Sequence, residues 1–140
     1  MSESGHLRKG QFETLASFRY ALRRFLHFSE DAAQAAGITP QQHQALLAIK
    51  GFPGRDQMTI GELAERLQLR HHSAVGLVDR LVAEKLVTRV PGQEDRRQVW
   101  IQITSEGEKT LGTLAAIHRE QLRRMGPELT QLLEKLNSDV

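Results

Sequence analysis

The run Thr59-Ile60-Gly61-Glu62 constrains this chain's fold more than any other feature. A threonine three residues before a glutamate is a capping-box form, in which each side chain satisfies an orphan backbone N–H and starts a helix. Ile60, Leu63, Ala64 and Leu67 follow at the i, i+3, i+4, i+7 spacing of one helix face, which predicts a short amphipathic helix over about 60–67. Gln68-Leu69-Arg70 breaks it, and a second helix is predicted over about 71–86. At about 100° per residue, Ala74, Val75, Val78, Leu81 and Val82 share one face of that helix, while His72, Ser73, Gly76, Arg80 and Ala83 lie on the other. A short capped helix, a tight break and a helix with a small polar outer face fit a helix-turn-helix.

A hairpin after the second helix makes the motif winged. Val87-Thr88-Arg89-Val90 is short and rich in β-branched residues, and Gln98–Ile103 alternates so that Val99, Ile101 and Ile103 share a face. Between them lies Pro91-Gly92-Gln93-Glu94-Asp95-Arg96-Arg97, a polar and basic hairpin tip. Trp100 falls on the polar strand face.

The flanks read as long helices. Phe12, Leu15, Leu22, Phe25 and Leu26 recur at helical spacing over 11–36, and Gly37 is a natural stop. Thr39-Pro40-Gln41-Gln42 is a second capping-box form and opens a helix over about 40–50, whose Ala45-Leu46-Leu47-Ala48-Ile49 run is apolar nearly all round and expected to be buried. Gly51–Asp56 is a loop by its Gly/Pro content. Thr104 or Ser105 caps a long helix, Gly126-Pro127 is expected to break it, and Leu129, Leu132, Leu133 and Leu136 form a last amphipathic helix. The expected architecture is therefore mainly α with a small β-hairpin wing. It has a winged helix-turn-helix lobe at about 39–103 and terminal dimerisation helices at about 11–36 and 104–138.

Composition removes several function classes. The chain has no cysteine, so disulfides, thiolate catalysis, thiol redox sensing and cysteine zinc sites are excluded. There is no Gly-x-Ser-x-Gly, no phosphate loop and no carboxylate pair in a defined setting, so an enzyme is not expected. No apolar run approaches the ~20 residues of a membrane span and no signal-peptide core is present, which makes a cytoplasmic protein the expectation. Net charge is only +2, and residues 55–97 hold eight Lys/Arg against seven acids. If this segment binds a polyanion, geometry must sort its charges onto different faces.

The outer face of 71–86 suits DNA. Ser73 and Gly76 are small enough to let a helix approach base edges, and His72 and Arg80 can donate to base acceptors or phosphates. Gly76 costs about 1 kcal/mol relative to alanine inside a helix, which close approach to DNA would offset. The helix begun at Thr59 can offer backbone N–H groups to a phosphate. Arg70 and His71, at the break and the start of the second helix, complete this predicted DNA-contacting set, although His71 falls toward the core side of the wheel. In the hairpin tip, Arg96 and Arg97 can reach a narrow minor groove, and Asp95 can hold Arg97 extended.

From Met58-Thr59-Ile60-Gly61-Glu62-Leu63-Ala64 through Val78-Asp79-Arg80-Leu81 to Asp95-Arg96-Arg97 and Ile103-Thr104, the chain resembles the multiple antibiotic resistance regulator (MarR) family. The Asp-x-Arg of the tip and the Val-Asp-Arg-Leu run are the most specific parts. The resemblance implies a homodimer with interlocked terminal helices, holding two winged lobes against a pseudo-palindromic double-stranded operator. It also implies a repressor released by a small molecule, often a phenolic anion, or by an oxidant. The peroxide-sensing branch uses a cysteine on the first helix, and this chain has none. No cofactor is expected.

Arg19, Tyr20 and His43 are the candidates for an anionic effector pocket. His27, His43 and His118 are lone histidines without clustered spacing, so structural roles are expected rather than metal ligation. The rival to a DNA-binding regulator is a winged-helix protein-interaction module, which would need an apolar or acidic outer face on 71–86. The terminal apolar stripes do not belong to the winged lobe and must be covered, which dimerisation would do.

Overall fold

Why does a chain so rich in helix-breaking signals between 51 and 104 build one small sheet there? The answer lies in three short segments that alternate in phase. In the computed structural model, which describes residues 6–92, 94–95 and 97–138, the order is α1 Lys9–Ala35, α2 Pro40–Lys50, β1 Gln57–Thr59, α3 Ile60–Leu67, α4 His71–Ala83, β2 Val87–Pro91, β3 Val99–Ile103 and α5 Ser105–Ser138. The strands form an antiparallel sheet in the order β1-β3-β2. Met58, Ile101 and Arg89 lie in one cross-strand row, and Thr59, Trp100 and Val90 in the next. Adjacent rows point to opposite faces.

β1 was not expected from the sequence, because three residues are too short to display a period of two. Two further boundaries differ. α4 ends at Ala83 rather than 86, since Lys85 adopts φ +63° and the Leu86 N–H closes back on the Leu81 carbonyl at 2.9 Å. α5 runs unbroken through Gly126 and Pro127. Met125, Leu129 and Leu132 keep one helical phase across the proline, and packing both sides of it offsets the lost hydrogen bond and ring clash of about 3 kcal/mol.

Contacts divide the chain into two units. One comprises residues 32–115; the other, among the described residues, comprises 6–31 with 116–138. In the first, Leu46, Ile49, Met58, Leu63, Leu77, Val78, Leu81 and Ile101 are essentially fully buried. Leu77 joins Ala74, Val78 and Leu81 as a core residue of α4, whereas Val75 and Val82 are half-buried. Val99 and Leu47, both expected inside, are exposed. Val99 lies toward the tip, beyond the ladder's covered part, and Leu47 faces away from α2's buried side of Gln42, His43, Ala45, Leu46 and Ile49. In the second unit Ala21, Met125 and Leu132 are buried with Phe18, Phe25 and Leu129 packed against them.

The caps behave as the sequence predicts. Thr39 and Gln42 exchange hydrogen bonds at 3.1 and 2.9 Å at the start of α2. At the end of α1, Gly37 sits at φ +84° while the Ile38 N–H reaches the Ala33 carbonyl, a left-handed stop that a side chain would strain. Thr59 and Glu62 form the capping box of α3 at 3.1 and 2.9 Å, and the Glu62 carboxylate also pairs with Arg55. Burial pushes the Glu62 carboxyl up, but the Thr59 N–H and Arg55 outweigh it and hold the group below its ordinary range. A depressed carboxylate stabilises the fold above its unfolded pKa, and that contribution is lost as pH falls through its folded value. Thr59→Ala is expected to cost about 1 kcal/mol in thermal or urea unfolding at neutral pH, with a smaller cost once Glu62 is protonated.

Candidate nucleic-acid interface

α4 presents its DNA-facing candidates from a rigid base. Its buried side packs beneath α3 and the sheet, so His72, Ser73, Arg80 and Ala83 stand exposed and Gly76 half-exposed between them. The three-residue turn before it is held by Gln68 at φ +55°, whose side-chain amide donates to the Glu65 carbonyl at 2.8 Å. Arg70 occupies the N-cap position of α4 without making a side-chain cap, which leaves its guanidinium exposed. His71 is also exposed, contrary to the core-side placement expected from the wheel. At the first helical position its side chain lies over the preceding turn rather than over the helix it begins. Thr59 is half-buried and its hydroxyl is committed to the Glu62 N–H, so its site could offer an anion only backbone N–H groups.

Pairing accounts for part of the near-balanced charge over 55–97. Glu62 binds Arg55, Asp79 binds Arg89, Asp95 binds Arg97, and Glu84 accepts from Gln42 at 2.7 Å. Among the described residues Arg70, Arg80 and Lys85 make no ion pair. Three of the seven acids over 55–97 are thus ion-paired, while Arg70, Arg80 and Lys85 stand exposed beside the outer face of α4 and remain available to a polyanion.

The wing is closed by short backbone bonds. The Gly92 N–H donates to the Gln98 carbonyl at 2.7 Å, and the Gln98 N–H donates to the Asp95 carbonyl at 3.0 Å. A Cβ at Gly92 would run into both carbonyls, so only glycine lets the strands close here. Asp95 Oδ1 accepts from the Arg97 N–H at 3.0 Å and from its Nε at 3.4 Å. This leaves both terminal guanidinium nitrogens free of Asp95 on a side chain that is 93% exposed. Arg96 lies outside the described residues.

Trp100 has a partner the sequence did not suggest. The Arg55 guanidinium sits 4.8 Å from the Trp100 ring centroid and 4.1 Å from that of Phe52, and Arg66 lies 4.7 Å from Phe52. This cation–π stack ties the 51–56 loop to α3 and to the sheet that carries the wing.

The other candidates separate. Arg19 and Tyr20 are exposed on the part of α1 in the terminal-helix unit, where the Arg24 guanidinium lies 5.0 Å from the Tyr20 ring. His43 belongs to the winged unit and is only 3% exposed. His27 pairs with Asp31 at 3.6 Å. His118 Nε2 lies 2.8 Å from Ser29 Oγ and makes edge contacts with Phe25 and Phe28. Among the described residues no group of three or more His, Asp or Glu side chains is placed to hold a metal ion. No helix among them is long and apolar enough to cross a membrane.

A model of the MarR family matches residues 36–98. The uncharacterized HTH-type transcriptional regulator YsmB of Bacillus subtilis is 37% identical over 93 residues, which is 66% of this chain and 62% of YsmB. The chain therefore spans less than two thirds of that relative's length. AbsC, a MarR family transcriptional regulator from Streptomyces coelicolor, matches with a TM-score of 0.75 at 23% identity, over 93% of this chain and 91% of AbsC. A mutant MarR from E. coli, solved in complex with operator DNA, matches with a TM-score of 0.60 at 22% identity, over 86% of this chain and 80% of that one. At these identities the two structures speak to the fold.

Proposed function

The chain belongs to the MarR family through its winged lobe, and on that footing we propose that it is a sequence-specific DNA-binding transcriptional regulator acting on a pseudo-palindromic operator as a homodimer. The observation that carries this reading is the unpaired outer face of α4 (His72, Ser73, Gly76 and Arg80) beside a wing whose Arg97 is held extended by Asp95. The outer face is not apolar, and the one acid on α4, Asp79, is paired with Arg89, so the face lacks the apolar or acidic character that a protein-interaction module would need. Arg70, His71 and the start of α3 at Thr59 supply phosphate contacts at its edge, and Arg96 is a further candidate by its place in the sequence. YsmB and AbsC are transcriptional regulators rather than enzymes.

Exposed apolar side chains on the terminal helices support the dimer. Phe12, Leu15 and Leu26 on α1, and Ile117, Leu122 and Leu133 on α5, are each more than a third exposed in the single chain. A second copy covers them, and two-fold symmetry then sets paired α4 helices about one DNA turn, ~10 base pairs, apart. Repression relieved by a small anionic effector is the regulatory part of the proposal. Arg19 and Tyr20, with the Arg24 guanidinium beside the Tyr20 ring, are its candidate contacts.

The test is binding to DNA from the gene's own upstream region, read by fluorescence anisotropy at about 50 and 200 mM salt. With six or more phosphate contacts, affinity is expected to fall about a thousandfold or more between those two concentrations. Sedimentation should show a dimer. No retention of upstream DNA at the lower salt would refute the reading.

A further inference from the structure

Asp79 is an awkward residue for a DNA-facing helix. It lies seven residues after His72, two turns along the same face, and between Gly76 and Arg80. A carboxylate there opposes phosphate and, on its own, weakens whatever its neighbours gain. Arg89 answers it. Arg89 shares its cross-strand row with Ile101 and Met58, both buried, so it leaves β2 on the core-facing side of the sheet rather than the solvent side. From that edge its guanidinium reaches Asp79 across the flank of α4 and pairs with it.

We propose that the Asp79–Arg89 pair is a positioning device for DNA binding: it neutralises the acid on the reading face of α4 and fixes the wing strand β2 against that helix. The pair's role rests on the DNA-binding reading of α4 and the wing. The two must enter adjacent grooves together, so their mutual setting determines whether Arg97 and the α4 side chains engage at once. The connection from α4 to β2 passes through Lys85 at φ +63°, and the Asp79–Arg89 pair is a second link between the two elements. The side chains of Arg89 and Asp79 are 40% and 59% exposed. Pairs this exposed add little to folding stability, so an effect on DNA affinity cannot be passed off as unfolding.

The test is a double-mutant cycle on operator affinity, with melting temperature measured alongside. Arg89→Ala is expected to weaken operator binding about tenfold, because it both frees β2 and bares the Asp79 charge. Arg89→Lys keeps the charge and restores most of the affinity. The double variant Asp79→Asn with Arg89→Ala binds no worse than Arg89→Ala alone, since the bare carboxylate is gone. Melting temperatures stay near that of the parent chain. The proposal is overturned if Arg89→Ala binds like the parent, if the two single losses multiply in the double variant, or if the affinity loss tracks a collapsed melting temperature. A parent chain that binds no operator DNA at all refutes the DNA reading instead, before the cycle is reached.

Discussion

Replacing Arg97 with alanine is expected to weaken operator binding about ten- to a hundredfold, while leaving the dimer and its melting temperature unchanged. The stability half follows from exposure: a side chain 93% in solvent, paired only with its neighbour Asp95, contributes almost nothing to folding. The affinity half follows from geometry. Asp95 takes the backbone N–H and Nε of Arg97, which removes rotamer freedom before DNA arrives and leaves the two terminal nitrogens to donate into the minor groove. A homodimer carries two such wings, so the loss counts twice per operator. The salt dependence should also become shallower, by about one unit of slope for each phosphate-region contact removed. Asp95→Ala should produce a smaller loss in the same direction, because the arginine survives but is no longer held out. Anisotropy titrations across a salt series read both effects. Equal affinity for Arg97→Ala and the parent would exclude the wing from the DNA interface.

The distribution of what was legible in the sequence follows from what each signal depends on. Capping boxes are local: Thr39 with Gln42 and Thr59 with Glu62 both formed as read, and with them the starts of α2 and α3. So did the Asp95 brace, since a hydrogen bond between residues two apart needs little from the rest of the fold. Features that depend on distant partners were hidden. β1 exists because Met58 is opposite Ile101, a pairing across 43 positions that three residues cannot announce. Trp100 acquired its partner from Arg55 in a loop, and Asp79 from Arg89 on a strand. Pro127 misled for a different reason. Its local helix cost points to a break, whereas the apolar phase of Met125, Leu129 and Leu132 continues across it and keeps α5 whole. No local signal links the candidate effector residues, since Arg19 and Tyr20 fall in one unit and His43 in the other.

Gly76→Ala separates folding from function more sharply than any other single change, because its two effects are expected to have opposite signs. Gly76 lies in the middle of α4 with no left-handed backbone angle to justify it. A Cβ built there meets nothing nearer than a terminal nitrogen of Arg80, at 3.8 Å, which is ordinary contact with a movable group. The protein itself therefore has no steric need for glycine at this position, yet it carries the helix penalty of one. Alanine should raise stability by about 1 kcal/mol. In a chain of this size that is a rise of about 2–4 °C in melting temperature. Against DNA the sign reverses. If α4 reads base edges with Ser73 and Gly76 at the point of closest approach, an added methyl must displace the helix or its neighbours. Overfilling a well-packed contact costs about 1–3 kcal/mol, which here means an operator affinity about five- to 150-fold lower per engaged helix. A more stable variant that binds the operator as tightly as the parent would remove Gly76 from the groove. A less stable one would show that the glycine serves packing after all, and a stabilised variant with crippled binding would place the backbone of α4 against the bases.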